Sequence, residues 1–393
     1  MTARTGGFRL LYLLVASTTS GACTDLPVQP RTPPAAQRSA VKFWDVNAST
    51  RWNDRAAQLL ALRPPANGQA AASRIHTYLT IAQYRAVLAA ERSKDGSQHP
   101  SIAAAVGGAS ARVLATFFPL DVATIEAQLA ADLAAPDWPG EKHRDDGSGV
   151  ALGRDIGSAV LAQAATDNYL VVPTGSPPLL PGFWIQNGPV VRSLHGVRPF
   201  FMTSASQLRA PTPPAFGSPE FLAALAEIRQ ISDTRTPEQL ALAVYWATGA
   251  GPFTASSLNI VANQMIRAHK RTEREAARIL AYANAAAFDA QIACWDSKVA
   301  YWYIRPSQAD PGITLPIALP NHPSYPSGHS CITGAIMTVL MDAFPSEREQ
   351  LESIMTDAGL SRMYGGLHYR FDVTAGQDIG RGAAALALAG SLE

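Results

Sequence analysis

The sequence predicts an all-α protein, a large bundle of packed helices, and three observations support this. Ala-rich segments with apolar residues three and four positions apart recur along most of the 393 residues, and this spacing is typical of one face of a helix. No stretch shows the apolar–polar alternation with a period of two that a half-buried strand needs. No segment recurs at a fixed period, so a solenoid is excluded. Helices around a common core are the architecture that remains.

The predicted helices fall into two groups that flank a proline-rich stretch. The first group is expected at residues 38–62, 68–92, 100–117, 121–135 and 148–167. The second group is expected at residues 219–231, 236–249, 255–304, 329–343, 346–358 and 372–390. Between them, residues 173–219 hold ten of the 29 prolines, together with Trp184, Phe200 and Phe201. Because long irregular segments within compact domains are usually functional, this excursion is expected to have a role.

Composition excludes several classes of protein. The chain is 47% hydrophobic and 16% charged, which excludes wholesale disorder. Lys and Arg number 32 against 31 Asp and Glu, so the charge gives no reason to expect a nucleic-acid partner. Three cysteines without a CxxC pair exclude a disulfide scaffold and a zinc knuckle.

The N-terminus has the pattern of an export signal. Residues 1–23 combine two early arginines, a short apolar run and small residues before Cys23. Ser20-Gly21-Ala22-Cys23 resembles a bacterial lipoprotein cleavage box, although Ser20 stands where Leu is common. We therefore predict export to the periplasm or cell envelope with a lipid anchor at Cys23, and ordinary cleavage is the alternative. Residues 24–37 are a Pro-rich tether, and 38–393 are predicted to form one helical domain with its core motifs in 290–390.

The first chemical motif places two cations near each other. Lys298 and Arg305 lie seven residues apart, which is nearly two helical turns, so both are expected on one helix face, with the helix ending before Pro306. With no acid three or four residues from either on the intervening stretch, the pair favours binding of an anion. A solvated basic face is the alternative, but the interleaved Tyr301 and Trp302 favour burial.

The second motif starts a helix. Asn321-His322-Pro323-Ser324-Tyr325-Pro326-Ser327-Gly328-His329 precedes an apolar helical run. Ser327 suits an N-cap, and a helix N-terminus offers free N–H groups to an oxyanion. Gly328 allows the backbone to approach a ligand closely. On its own, His329 is as well explained by a structural role.

The third motif is Ser361-Arg362, followed by His368 and Asp372. If the chain is helical from His368, this imidazole and the carboxylate share a face. A carboxylate on one ring nitrogen fixes the tautomer and leaves a lone pair on the other, which suits a nucleophile or a metal ligand. A purely stabilising His–Asp pair is the alternative.

Together the three motifs, K-x6-RP, PSGH and SR-x5-H-x3-D, resemble the phosphatidic acid phosphatase type 2 / vanadium haloperoxidase superfamily. The resemblance implies a pocket for phosphate or vanadate, with its oxygens neutralised by Lys298, Arg305 and Arg362. Ser327 and the Gly328 N–H are implied to donate further hydrogen bonds.

The resemblance also implies the reacting groups. His329 is expected to be the acid/base, His368 the phosphorus nucleophile or the vanadium ligand, and Asp372 the residue that orients His368. Lys298 is expected to polarise hydrogen peroxide in a peroxidase. His322 stands where bromoperoxidases of the family carry His, which favours bromide, and a structural His322 is the alternative.

Two reactions fit these motifs, because five-coordinate vanadate resembles the phosphoryl-transfer transition state. The stretches 206–221, 236–248 and 294–306 resemble bacterial vanadium haloperoxidase-like proteins, so a haloperoxidase is favoured, with hydrogen peroxide, halide and a small organic acceptor as its partners. The alternative is a soluble exported acid phosphatase that hydrolyses phosphate monoesters through a phosphohistidine at His368 and needs no vanadate. The membrane-spanning lipid phosphatase branch is disfavoured by the charges around residues 271–296.

Minor alternatives also remain. One is a lipoprotein that binds an oxyanion without turnover. A zinc hydrolase is less favoured, because three neighbouring cations would repel the metal. Cys294 and Cys331 are expected to be free buried thiols, with a disulfide as the alternative. The oligomeric state, a homodimer included, stays open.

Overall fold

A computed structural model describes residues 47–66, 68–93, 99–134, 144–169, 175–188, 194–249 and 253–392. The signal segment, the lipidation site Cys23 and the tether lie outside the described residues. The N-terminal helices are α1 (Ala48–Leu62), α2 (Gly68–Arg92), α3 (Ile102–Phe117), α4 (Val122–Leu133) and α5 (Asp146–Ala165). Two-residue strands β1 (His99–Pro100) and β2 (Arg144–Asp145) pair in parallel.

The second group contains the helices that form the site. It consists of α6 (Pro219–Thr234), α7 (Pro237–Val244), α8 (Thr254–Ala268), α9 (Glu273–Tyr301), α10 (Pro306–Ala309), α11 (Gly328–Ala343), α12 (Arg348–Tyr364) and α13 (Arg370–Ala389). A π-helical turn at Tyr245–Gly249 follows α7. The all-α prediction is confirmed for the described residues, whereas the assignment of one domain stays a prediction.

Helix α9 is the centre of the packing. It contacts α2 on one side and α11 and α13 on the other, while α3 and α5 pack against α2. Most of its side chains are buried, including Phe288 and Ile292. Helices α11 and α13 can approach closely because Gly376 has no side chain. A Cβ at this position would lie only 2.6 Å from the Ser327 carbonyl oxygen. This contact fixes the start of α11 against the start of α13.

Three predicted helix boundaries were wrong. The helix expected to end at residue 358 continues to Tyr364 as α12. The expected helix 255–304 is broken between α8 and α9, where Lys270 has a positive φ and Thr272 caps α9 in a capping box with Glu275. Helix α9 then ends at Tyr301, so Lys298 and Arg305 do not share a helix face. The chain turns extended because Trp184 N donates to Trp302 O and Ile304 N donates to Gly182 O.

The proline-rich excursion docks on α9 through buried polar groups. The Asp289 carboxylate accepts the N–H groups of Phe200, Phe201 and Met202 at 2.8, 2.7 and 3.1 Å. Two turns further on, Asp296 pairs with Arg209 through two nitrogens. One face of α9 therefore holds the excursion, and another carries the residues of the site.

Candidate active site

The three motifs converge on one cavity of about 370 Å³. Lys298 comes from the last turn of α9, Gly328 and His329 from the first turn of α11, and Arg362 from the last turn of α12. His368 lies just before α13 and also lines the cavity. Residues far apart in sequence thus face one space, as the motifs predict.

His368 has its ring nitrogens in defined roles. Nδ1 lies 2.8 Å from Asp372 Oδ2, and Nε2 lies 3.0 Å from Arg305 Nη1. Because a guanidinium can only donate, Nε2 is the acceptor and the ring proton is on Nδ1. Burial, together with the charges of Arg305 and Lys298, holds the pKa of His368 well below its usual value. The ring is neutral, with a lone pair on the nitrogen that the resemblance assigns to the central atom.

Asp372 is held by a residue that sequence reasoning missed. Ser324 Oγ donates to Asp372 Oδ2 at 2.5 Å, and the Tyr369 N–H donates to the same oxygen at 3.3 Å. The Ser324 carbonyl also accepts from Lys298 Nζ at 2.8 Å. Burial raises the pKa of Asp372 to about 7, although the Ser324 hydrogen bond acts in the opposite direction. No defining motif position includes Ser324, so its role could not be found without the tertiary contact.

Arg305 is fully buried, and its donors bond protein acceptors. Nε donates to the His322 carbonyl at 3.0 Å, and Nη1 donates to the Leu367 carbonyl at 2.8 Å. Nη2 lies 3.0 Å from His322 Nδ1, so this nitrogen is an acceptor. His322 Nδ1 also lies 3.1 Å from the Pro323 carbonyl oxygen. Because the guanidinium can only donate, Nδ1 carries no proton and does not donate to that carbonyl. Burial lowers the pKa of Arg305 to about 10, and the group stays charged.

Lys298 is also buried, and its ammonium is fully coordinated. Nζ donates to the carbonyls of Pro323, Ser324 and Pro326 at 2.7, 2.8 and 2.5 Å. Since an ammonium has three hydrogens, contact with an oxyanion requires the exchange of one of these bonds. Burial lowers the pKa of Lys298 to about 8.

Arg362 and His329 lie on the side of the cavity formed by α12 and α11. Arg362 donates through Nε to Ser361 Oγ and through Nη2 to the Ala243 carbonyl, both at 3.0 Å. His329 Nε2 donates to the Trp246 carbonyl at 3.2 Å, which leaves Nδ1 with a lone pair. Burial and the charge of Arg362 hold the pKa of His329 well below its usual value. This neutral imidazole can accept a proton at Nδ1.

The start of α11 has the geometry that the PSGH motif predicts. Ser327 is the N-cap, and its Oγ accepts from the N–H and the hydroxyl of Ser330 at 3.4 and 3.0 Å. Its own hydroxyl hydrogen remains available as a donor. A Cβ at Gly328 would meet no atom within 4 Å. Packing therefore does not require a glycine at this position, and the missing side chain leaves open space beside the N–H groups of the first turn.

The charges of this site favour a multivalent oxyanion. Lys298, Arg305 and Arg362 are all buried; Lys298 and Arg362 line the cavity, and Arg305 contacts it through its bond to His368. The Asp372 carboxylate bonds the other nitrogen of the same imidazole. The described residues that line the cavity include no acidic side chain. A buried excess of positive charge is costly unless a bound anion compensates it. Phosphate or vanadate fits this donor set. The His368 Nε2 lone pair, which now accepts from Arg305 Nη1, would have to exchange that bond for the central atom, and Gly328 leaves room for an oxygen.

The remaining predicted site residue, His322, lies in the cavity wall. Its ring packs edge-on against Trp295, with ring centroids 5.0 Å apart. Burial and the charges of Lys298 and Arg305 lower its pKa well below the usual value. Its effect on halide preference stays a prediction, but its bond to Arg305 already gives it a structural role.

Residues outside the predicted core segment 290–390 also line the cavity. Gln69 and Gly68 begin α2, Trp246 lies in the π-helical turn, and Phe253 precedes α8. Gln69 Oε1 accepts from the Thr254 N–H at 2.8 Å, which joins two of these segments. The sequence did not predict that these residues line the cavity, because their positions depend on contacts between helices that are distant in sequence.

Cys294 and Cys331 are free and buried, as expected. Among the described residues, no helix is long and apolar enough to cross a bilayer.

Comparison with known proteins supports the motif assignment. Residues 277–391 match the PAP2 superfamily. A bacterial vanadium-dependent iodoperoxidase structure is similar, with a TM-score of 0.73 at 21% identity over 88% of this chain and 96% of that one. The apo form of a bacterial vanadium-dependent chloroperoxidase gives a TM-score of 0.68 at 15% identity, over 84% of this chain and 95% of that one. Its holo form gives 0.66 at 17%, over 85% and 94%.

The predicted superfamily is confirmed by these matches. The structural likeness shows the fold, because the identities are low. No curated protein matches the chain in sequence.

Proposed function

We propose that this chain, a member of the PAP2 superfamily through residues 277–391, is a vanadium-dependent haloperoxidase. The observation that carries the proposal is the set of three buried cations around the His368 lone pair, which suits a multivalent oxyanion. The fold supports the peroxidase over the phosphatase, since the similarity to bacterial vanadium peroxidases extends over the N-terminal helices and covers 88% of the chain.

The residues that would hold vanadate follow from the geometry. His368 Nε2 would offer its lone pair after releasing the Arg305 hydrogen bond, and Asp372 on Nδ1 keeps that tautomer. Lys298, Arg305 and Arg362 balance the negative charge of the oxygens. The chemistry that bound vanadate supplies is Lewis-acid activation of hydrogen peroxide toward halide, without a change in its oxidation state.

Other side chains would transfer the protons and contact the halide. His329 Nδ1 carries a lone pair and can accept a proton from peroxide and return it to the leaving oxygen. His322 and Trp295 form the nearby wall, and we propose bromide as the preferred halide from the position of His322 in the motif. The product is hypohalous acid, which halogenates a small organic acceptor.

The acid phosphatase is the second candidate, because the PAP2 match and the same pocket support it too. In that reaction the neutral His368 attacks phosphorus, and His329 protonates the leaving group. Neither residue would need a different position.

A paired assay separates the two reactions. Vanadate-loaded protein is expected to brominate a phenol dye with peroxide and bromide, and vanadate-free protein is tested on nitrophenyl phosphate. His368→Ala should abolish either activity, whereas His99→Ala, which changes an exposed histidine in β1, should leave it intact. Efficient phosphate-ester turnover without bromination at any vanadate loading would assign the phosphatase. If His368→Ala kept full activity, the superfamily mechanism would be wrong for this chain.

We also propose that the protein is exported and anchored through Cys23, on the basis of its signal segment. In a Gram-negative host the full chain should fractionate with membranes, and Cys23→Ser should release it or block its maturation. Recovery of the wild type in the cytosol with Met1 intact would contradict the proposal.

A further inference from the structure

Two buried thiols lie in neighbouring helices beside the cavity. Cys294 belongs to α9 and Cys331 to α11, and these helices pack directly on each other. The two thiols lie close enough to shift each other's pKa, and Cys294 Sγ lies 3.9 Å from the Pro326 carbonyl oxygen. The chain has one other cysteine, Cys23. The function proposed above uses neither buried thiol.

The two thiols differ in their access to the cavity. Cys294 lines the cavity, whereas Cys331 is 0% exposed and does not line it. Cys294 is also one helical turn before Lys298, so its sulfur lies in an electropositive environment. A buried thiol that borders a cavity near cations can meet a small solute such as hydrogen peroxide, whereas a fully enclosed thiol beside it can react only with its neighbour.

The protonation preferences follow the same asymmetry. Burial acts to raise the pKa of Cys294, but the Cys331 hydrogen bond and the charges of Lys298 and Arg305 outweigh it and lower this pKa. Burial raises the pKa of Cys331 well above its usual value. These directions favour thiolate formation at Cys294, the sulfur that borders the cavity, over Cys331.

We infer that Cys294 and Cys331 form a peroxide-reactive dithiol site in which Cys294 attacks hydrogen peroxide and Cys331 resolves the product to a disulfide. In the first step the Cys294 thiolate attacks one peroxide oxygen, the O–O bond breaks, and hydroxide leaves to take up a proton. In the second step the Cys331 sulfur attacks the Cys294 sulfenic acid, an S–S bond forms, and water leaves. Two thiols are oxidised, and one peroxide is reduced to two waters.

This inference goes beyond the proposed function and does not depend on it, because the reaction needs no vanadate and no halide. Its consequence for the cavity is a covalent link between α9 and α11. The link would lie one turn from Lys298 and two residues from His329. It would also draw Cys294 Sγ away from the Pro326 carbonyl, which accepts a hydrogen bond from Lys298.

The test uses the reduced, vanadate-free full chain and one equivalent of hydrogen peroxide. Peptide mapping by mass spectrometry after alkylation counts each cysteine separately, so Cys23 does not interfere. We expect one Cys294–Cys331 disulfide per peroxide consumed, with a loss of two thiols. In Cys331→Ser, dimedone should trap a sulfenic acid at Cys294. In Cys294→Ser, Cys331 should oxidise at least about tenfold more slowly than Cys294 does in the wild type.

The wild-type measurement stands even if a variant fails to fold, which circular dichroism checks. Both thiols surviving an excess of peroxide in the folded wild type would overturn the inference. Equal oxidation rates at Cys331 in Cys294→Ser and at Cys294 in Cys331→Ser would overturn the assignment of roles. The halogenation assay is separate, so its failure would leave this result unchanged.

Discussion

Removal of the Ser324 hydroxyl tests how the site holds its central histidine. In Ser324→Ala, Asp372 Oδ2 keeps His368 Nδ1 at 2.8 Å and the Tyr369 N–H at 3.3 Å but loses its shortest donor, at 2.5 Å. The other oxygen, Oδ1, already has no protein partner. The carboxylate therefore depends on few donors, and without Ser324 it is held less firmly against His368, although two of its hydrogen bonds remain.

The size of the effect follows from these contacts. A hydrogen bond to a buried charge contributes about 1.5–3 kcal/mol, so the free energy of unfolding should fall by about 2 kcal/mol. Orienting partners of a ligand histidine typically change affinity by about 10–100-fold. We expect the lower end of that range for orthovanadate, since Asp372 stays in place, and this is about 1.4 kcal/mol.

The assay is a urea titration for stability and an orthovanadate titration monitored by tryptophan fluorescence for affinity. Ser297→Ala is the matched control, because it removes an equally buried hydroxyl that bonds Ala210 of the excursion rather than the site. Ser324→Thr retains a hydroxyl and should recover part of the affinity. If Ser324→Ala loses stability but binds orthovanadate as tightly as Ser297→Ala does, Ser324 does not position the site.

Two further predictions concern pH and the docking of the excursion. Burial lowers the pKa of Lys298 to about 8, so affinity for inorganic phosphate should fall by up to about tenfold per pH unit above about pH 8, and calorimetry should show no such slope in Lys298→Met. The lowered pKa also reduces the free energy of unfolding. This cost is present in full below about pH 8 and disappears as the pH rises toward the ordinary pKa of 10.5. Asp289→Asn replaces one acceptor oxygen of the excursion with a donor, and unfolding in urea should show a loss of about 1–3 kcal/mol. Unchanged urea midpoints would show that Asp289 does not anchor the excursion.

Periodicity predicted the helices well because most of them bury one apolar stripe. The breaks were harder to predict. The capping box of Thr272 and Glu275 was present in the sequence, but the apolar pattern continues across it and concealed the gap. The end of α9 depends on backbone bonds from Gly182 and Trp184, more than 100 residues earlier. No local pattern contains such information.

The motifs predicted that donors distant in sequence would lie together, because the motifs encode the donors themselves. Five of these residues line the cavity, namely Lys298, Gly328, His329, Arg362 and His368. Arg305, Ser327 and Asp372 are buried and do not line it, and the catalytic role of each residue stays a prediction. Ser324 and Trp246 were missed because they act through long-range contacts, Ser324 to Asp372 and Lys298, and Trp246 to His329. A single sequence shows residue types and spacing, and such contacts become visible only after the helices have packed.

Lys298 and Arg305 already donate to protein acceptors, so an anion can bind them only in exchange for those hydrogen bonds. An incoming anion gains only the difference between its own contacts and the carbonyl and imidazole contacts that it displaces. Chloride or nitrate, with one charge and weaker acceptors, gains little from this exchange. A tetrahedral oxyanion with several charged oxygens replaces many bonds at once and gains more. Discrimination among anions thus arises from competition with the protein's own acceptors.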